Sequence, residues 1–194
     1  MISEAEAWAL MLASVSLPQR VFNPRKTSVA VFTGRNANYL IEQAGVLCKT
    51  IACDQLYIAN TRGENEEIYS YSRILTMLKK SRISGLFLQS YTPNTKTQVE
   101  WVLELAEIKG VESIQVVALD YHMARVILTA IASMRDRKKY IAICPAFVPN
   151  PLAVSAVGFF QENMEKIRAY QAKGDVASRV ELLRYVEWLN LEYR

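Results

Sequence analysis

Short β-rich runs alternate with longer stretches of helical spacing about five times along this chain. The predicted strands cover residues 28–33, 55–59, 85–88, 113–119 and 140–143, and we expect Pro145 to end the fifth. These runs are apolar almost throughout, which is typical of strands that are buried on both faces of a sheet. Alternation with short connections implies βαβ units, so the sequence predicts a mostly parallel five-stranded sheet.

Between the strands, apolar residues recur every three or four positions, which predicts helices. The four stripes are Ala37, Leu40, Ile41, Ala44, Leu47 and Cys48; Ile68, Tyr71, Leu75 and Leu78; Val99, Val102, Leu103 and Ala106; and Met123, Val126, Ile127, Ala130, Ile131 and Met134. An N-terminal helix and a helical extension over 150–194 flank a core of about 28–147. Within the extension, Gly174 predicts a helix end and Asp175 an N-cap. We therefore expect one domain over 1–194, a doubly wound, three-layer α/β/α fold of Rossmann-like type with extra terminal helices.

The composition excludes several other classes of protein. A hydrophobic content of 51% and a charged content of 22% argue against disorder and coiled coil. The net charge is +4, and the one dense basic cluster, over 135–139, sits at a predicted helix end, where the helix dipole favours it. A nucleic-acid partner is therefore disfavoured. No apolar run approaches the roughly 18 residues of a membrane span, so we expect no membrane partner and a cytoplasmic protein.

The cysteine and histidine content argues against disulfides and metal. Cys48, Cys53 and Cys144 form an odd set without a regular spacing, and the chain has one histidine. A disulfide framework and a zinc site are both disfavoured, and no metal site is predicted. The three cysteines are expected to be small buried hydrophobes in a reducing compartment.

Polar loops follow four of the predicted strands. In open α/β sheets, ligands bind beyond the carboxyl ends of the strands. The loops comprise residues 33–36, 60–65, 89–95 and 120–122. We therefore expect Thr33, Thr61, Asn94 and His122 to lie together at one edge of the sheet.

These loops supply the candidate site residues. Each loop leads into a helix, whose exposed N–H groups and dipole favour an anion. The candidate ligand-binding residues are Gly34, Arg35, Thr61, Arg62, Gly63, Asn94, Thr95, Asp120 and Arg125. His122 is the candidate catalytic residue, because its unperturbed pKa lies near neutrality and suits a general acid or base.

Structural alternatives stay open for several candidates. Asn94 or Thr95 can serve only as a helix cap, Gly34 and Gly63 can serve turns alone, and arginines 35 and 62 can be plain surface charges. The chain contains no P-loop lysine motif, no G-x-G-x-x-G and no serine nucleophile elbow. Classical phosphate-binding and serine-hydrolase signatures are thus absent.

Residues 116–125, VVALDYHMAR, resemble the VT-x-x-YH-x-x-RA signature of the YdcF-like domain, which SanA- and ElyC-type proteins share. Residues 90–95, SYTPNT, resemble the S-x-N-T segment of that family, and residues 170–177 resemble the ending of its soluble members. The resemblance implies a doubly wound α/β fold with a site at the strand ends. Some members of that family are linked to S-adenosylmethionine binding and others to envelope biogenesis, so the resemblance implies these as candidate roles.

The chain departs from that family pattern at three places. Gly34 is followed by Arg35, and Arg62-Gly63 stands where a glycine pair is expected. Thr97 and Gln98 occupy the place of the family's acidic residue. Two functions are left open: binding of a small anionic or nucleotide-like ligand, such as S-adenosylmethionine or a phosphate-bearing compound, and a non-catalytic binding or assembly role with a degenerate site. The sequence indicates no particular cofactor or reaction, and it is compatible with a homo-oligomer.

Overall fold

The computed structural model describes residues 2–18, 23–34, 36–53, 55–60, 69–78, 83–92, 94–146, 148 and 156–193. Strands and helices alternate through the core, as predicted. The elements are α1 (Glu4–Val15), β1 (Thr27–Phe32), α2 (Ala37–Thr50), β2 (Gln55–Ala59), α3 (Tyr71–Met77), β3 (Gly85–Leu88), α4 (Thr95–Ile108), β4 (Ser113–Val117), α5 (Asp120–Ser133), β5 (Ala142–Pro145), α6 (Ala156–Gln171) and α7 (Arg179–Glu192).

The five strands form one parallel sheet in the order β3-β2-β1-β4-β5. β1 lies at the centre, and its Val29 pairs with Leu56 of β2 on one side and with Gln115 of β4 on the other. The chain winds outward from β1 to β3 and then crosses back to β4, so the strand order reverses between β1 and β4. Such a switch point opens a crevice at the carboxyl ends of the two strands.

Both faces of the sheet are covered by helices. Ala30 and Phe32 of β1 belong to the core that the sheet forms with α1, α4, α5, α6 and α7, whereas Val29 and Val31 belong to the core formed with α2 and α3. This division follows from the pleat, because successive side chains of a strand point to opposite faces. The predicted doubly wound, three-layer α/β/α fold with extra terminal helices is confirmed.

The helices next to the switch point begin differently from the others. Asn36 precedes α2 in the left-handed region (φ 56°), and Leu119 precedes α5. In the described part of the chain neither residue makes a side-chain cap. By contrast, Asn94 caps α4 and Ser178 caps α7. The first amide groups of α2 therefore have no side-chain cap from Asn36, whereas at the start of α5 the Tyr121 N–H donates to Asp120 Oδ1 at 2.8 Å.

The fifth strand extends two residues further than predicted and includes Pro145. Ala142 and Ala146 donate their N–H groups to the carbonyl oxygens of Glu112 and Val116. Backbone N–H groups alternate sides along a strand, so positions 143 and 145 have their N–H side turned away from β4, where β5 forms the edge of the sheet. Proline is tolerated there because no ladder hydrogen bond is lost.

The apolar stripe predicted over 68–78 is wrong in part. Ile74 and Leu78 are buried, whereas Tyr71 and Leu75 are exposed, and residue 68 lies outside the described residues. α3 has only seven residues and presents to the sheet the face that carries positions 74 and 78. Its other apolar residues therefore meet solvent.

Asp175 is not the cap of the last helix, contrary to the sequence prediction. Its carboxylate pairs with Lys96 Nζ at 2.7 Å, and Ser178 begins α7 with a capping box. Gly174 ends the turn after α6 with a φ of 79°, a conformation that glycine adopts without strain. The helix end expected near Gly174 is thus correct, and α7 begins a few residues later than predicted.

The terminal helix α1 packs against α5, α6 and α7, and its buried face includes Ala7, Leu10 and Met11. None of the helices in the described ranges combines the length and the apolar character needed to cross a bilayer. All three cysteines are buried thiols, as predicted.

Candidate functional site

A polar cavity of about 320 Å³ lies at the carboxyl ends of β1 and β4. This is the switch point of the sheet, and the volume falls at the lower end of the range for small-molecule sites. The lining residues are Phe32, Thr33, Gly34, Leu40, Asn94, Thr95, Gln98, Leu119, Tyr121, His122, Arg125, Phe159, Glu162, Asn163, Lys166 and Tyr170.

The end of β1 forms one side of the cavity. The buried hydroxyl of Thr33 donates towards the carbonyl oxygens of Ala59, at 3.1 Å, and Asn60. Thr33 therefore ties the ends of β1 and β2 together rather than presenting its hydroxyl to a ligand. A Cβ atom on Gly34 would meet no described atom within 4 Å, so packing in this part of the structure does not require glycine there.

The start of α4 forms a second side. Asn94 Oδ1 accepts hydrogen bonds from the Thr97 N–H at 2.9 Å and from the Thr97 hydroxyl at 3.0 Å. Asn94 is thus the helix cap that the sequence left as an alternative, and it borders the cavity as well. Thr95, the first residue of α4, places its Oγ1 3.2 Å from Nε2 of His122.

His122 lies at the start of α5 and is partly buried. Burial lowers the pKa of its imidazole well below the ordinary value, and the positive charges of Arg125 and Lys166 lower it further. The ring is therefore neutral at pH 7 and keeps one nitrogen able to accept a proton. If the Thr95 hydroxyl donates to Nε2, the other ring nitrogen carries the hydrogen.

Arg125 follows His122 by one helical turn and is also partly buried. Burial lowers the pKa of its guanidinium, and neighbouring Tyr170, Glu162 and Tyr121 oppose that effect. The group stays charged at physiological pH. Its Nε is fully buried and has no hydrogen-bond partner among the described residues. A buried charged donor left unsatisfied is costly, so this nitrogen favours an acceptor in the cavity.

One face of α6 closes the cavity. Its lining residues follow a helical spacing of three and four, namely Phe159, Glu162, Asn163, Lys166 and Tyr170. Lys166 forms an ion pair with Glu162 on the preceding turn. The ring of Tyr121 on α5 packs against that of Phe159, with centroids 5.0 Å apart, and this contact holds α6 over the site.

The structure brings together five of the sequence-predicted site residues: Gly34, Asn94, Thr95, His122 and Arg125. Asp120 does not line this cavity. Its Oδ1 accepts from the Tyr121 N–H at 2.8 Å, and its side chain borders a separate, largely apolar pocket. Arg35, Thr61, Arg62 and Gly63 lie outside the described residues. Four residues, one from each loop, were expected to lie together at one edge of the sheet. Thr33, Asn94 and His122 do so, and Thr61 lies outside the described residues.

The contribution of α6, and those of Gln98 and Tyr121, were not predicted from the sequence. In α6, Asn163, Lys166 and Tyr170 follow a helical spacing, and this places polar and aromatic side chains on one face of the helix. Without the strand order, that face had no assigned neighbour.

In the described ranges, no group of three or more His, Cys, Asp or Glu side chains lies close enough together to hold a metal ion. No family model, curated protein or solved structure matches the chain.

Proposed function

We propose that this domain binds a small anionic compound, phosphate-bearing or nucleotide-like, in the cavity between β1 and β4. The observation that carries the proposal is the buried Nε of Arg125, a charged donor without a described partner on the cavity wall. The resemblance to YdcF-like proteins agrees with it and adds S-adenosylmethionine as a ligand to test.

The charge balance of the cavity supports an anion. Three ionised side chains line it, namely Arg125, Lys166 and Glu162. Lys166 and Glu162 neutralise each other in an ion pair, which leaves the positive charge of Arg125. The N-termini of α2 and α5 lie at the same end of the sheet, and their helix dipoles add partial positive charge there.

His122 is suited to act on a bound ligand as a general base. Its ring is neutral at pH 7 and so has a free nitrogen lone pair, although the lowered pKa makes it a weak base, and its Nε2 lies 3.2 Å from a hydroxyl oxygen. The alternative function, a non-catalytic assembly protein with a degenerate site, differs in a measurable way because it requires no anion to bind.

The test is a thermal-shift screen of inorganic phosphate, nucleotides, sugar phosphates and S-adenosylmethionine, followed by calorimetry on each compound that raises the melting temperature. Arg125→Gln should weaken binding by about tenfold to a hundredfold, since a charge-assisted hydrogen bond contributes about 1.5–3 kcal/mol. Lys138→Gln is the matched control, because it removes the same charge from an exposed position away from the cavity.

Unchanged affinity in Arg125→Gln, or no binding by any compound, would overturn the proposal and favour the assembly function. His122→Gln should retain most of the affinity and abolish turnover if a reaction occurs. A loss of affinity in His122→Gln as large as that in Arg125→Gln would instead assign His122 to ligand binding.

A further inference from the structure

Asn163 carries a buried acceptor without a described partner and belongs to the wall of the cavity. The residue is 3% exposed and lies on the face of α6 that lines the site. Its Nδ2 donates to the carbonyl oxygen of Phe159 at 2.8 Å. This bond sets the orientation of the amide, because only the NH₂ group donates to a carbonyl. The remaining atom, Oδ1, is buried and has no partner in the described part of the structure.

Two residues of the cavity wall, as far as the structure describes it, therefore carry unmet buried groups of opposite kind. Arg125 Nε needs an acceptor, and Asn163 Oδ1 needs a donor. An unsatisfied buried polar group costs about 1–3 kcal/mol, so a ligand that satisfies both gains over one that satisfies only the first. A carboxylate or a fully ionised phosphate ester offers acceptors alone and leaves Asn163 unmet.

We infer that the ligand is a hydroxylated anion, such as a sugar phosphate or a sugar acid, with its anionic group at Arg125 and a hydroxyl donating to Asn163. This inference rests on the proposed function and names the class of compound that the same site selects.

Two matched pairs of probes test the inference by calorimetry. Ribose 5-phosphate is compared with pentyl phosphate, and gluconate with hexanoate; each pair shares an anionic group and a chain length and differs in hydroxyls. The hydroxylated member of at least one pair should bind about tenfold more tightly, the value of one hydrogen bond that satisfies a buried acceptor.

Asn163→Leu should remove this preference by weakening the hydroxylated compound about tenfold, while the plain anion binds as before. Asn190→Leu, at an exposed position of α7, is the control. If Asn163→Leu does not fold, the comparison within the wild-type protein still decides the point.

Equal affinities within both pairs would overturn the inference and leave the proposed function standing, provided that Arg125→Gln weakens all four compounds. A preference that survives in Asn163→Leu would also overturn it, because another group would then meet the hydroxyl. Failure of all four compounds to bind the wild-type protein would overturn this inference, and it would overturn the proposed function as well only if inorganic phosphate, nucleotides and S-adenosylmethionine also failed to bind.

Discussion

His122 is the only histidine of the chain. The difference in proton binding between the folded and unfolded protein near pH 6 therefore depends largely on this one side chain. In the folded protein, burial, Arg125 and Lys166 lower its pKa well below 6.5, whereas the unfolded chain keeps the ordinary value. As the pH falls below 6.5, the unfolded state binds the proton first. The free energy of unfolding should therefore decrease, by no more than about 1.4 kcal/mol per pH unit from this group.

Urea unfolding at pH 7.5, 6.5 and 5.5 measures this effect. The wild-type protein should lose stability between pH 6.5 and 5.5, and His122→Gln should lose less over the same interval. The difference between the two curves isolates the histidine from the carboxylates, which both proteins share. Parallel curves would show that His122 takes up its proton equally well in the folded state.

At the scale of single residues, the sequence predicted the site residues that directly follow a strand. Gly34, His122 and Arg125 follow β1 and β4 directly along the chain, so their positions depend only on recognising those strands. Asn163 could not be placed in the same way, because its neighbours in the cavity come from strands far away in sequence. Asp120 was misplaced because adjacent helix residues point in different directions, about 100° apart.

Among the elements, the first turn of α7 is stabilised by the carboxylate of Glu181, which forms both a capping interaction and an ion pair. Glu181 accepts from the Ser178 N–H at 2.6 Å and from Arg135 Nη2 at 2.9 Å. Burial raises the pKa of Glu181, but the hydrogen bonds from Arg135 and Ser178 outweigh it and lower the pKa to about 2. Because the folded pKa is depressed, this stabilisation is complete above the ordinary value of 4.5 and is lost as the pH falls towards 2.

Substitutions at the start of α7 separate the cap from the ion pair. At pH 7, Ser178→Ala should lower the free energy of unfolding by about 1 kcal/mol, the usual value of an N-cap. Glu181→Gln keeps a capping-box side chain and loses only the charge, so it should cost less than Glu181→Ala. Urea unfolding measures all three, with Glu187→Gln, at an exposed position of the same helix, as the control. Equal losses in Glu181→Gln and Glu181→Ala would show that the charge alone matters.

The elements themselves differ in how well local sequence predicted them. β2 and β3 have the predicted bounds because polar residues or a glycine mark their ends. β5 was placed two residues too early, because the tolerance of Pro145 depends on its being an edge strand. The order of the strands was beyond prediction, since it is set by long-range pairing that no local pattern encodes.

At the scale of the whole molecule, Tyr185 joins the last helix to the edge of the sheet. Its buried hydroxyl donates to the carbonyl oxygen of Ile141 at 3.2 Å and accepts from the Ile143 N–H at 2.6 Å. Burial raises the pKa of the phenol well above its ordinary value, so the hydroxyl keeps its proton. The side chain thereby satisfies backbone groups beside an edge strand, which otherwise offer a template for strand pairing with another chain.

Tyr185→Phe should lower the free energy of unfolding by about 1–3 kcal/mol, because it leaves a buried N–H without its acceptor. Tyr71→Phe, on an exposed ring, should change it by no more than about 0.5 kcal/mol. Chemical denaturation measures both, and light scattering tests whether the variant associates through its uncovered edge. An equal, small effect of the two substitutions would show that Ile143 finds another partner.

The cavity is assembled from segments that leave the ribosome at very different times. Thr33 and Gly34 emerge early, whereas the wall supplied by α6 is made only after all five strands. Because domains are synthesised from the N-terminus at about 5–20 residues per second, the sheet has seconds to form before the site exists. A ligand therefore cannot guide the early folding of this chain. A nascent chain that stalls before α6 would contain all five strands yet lack the wall of the cavity that α6 supplies.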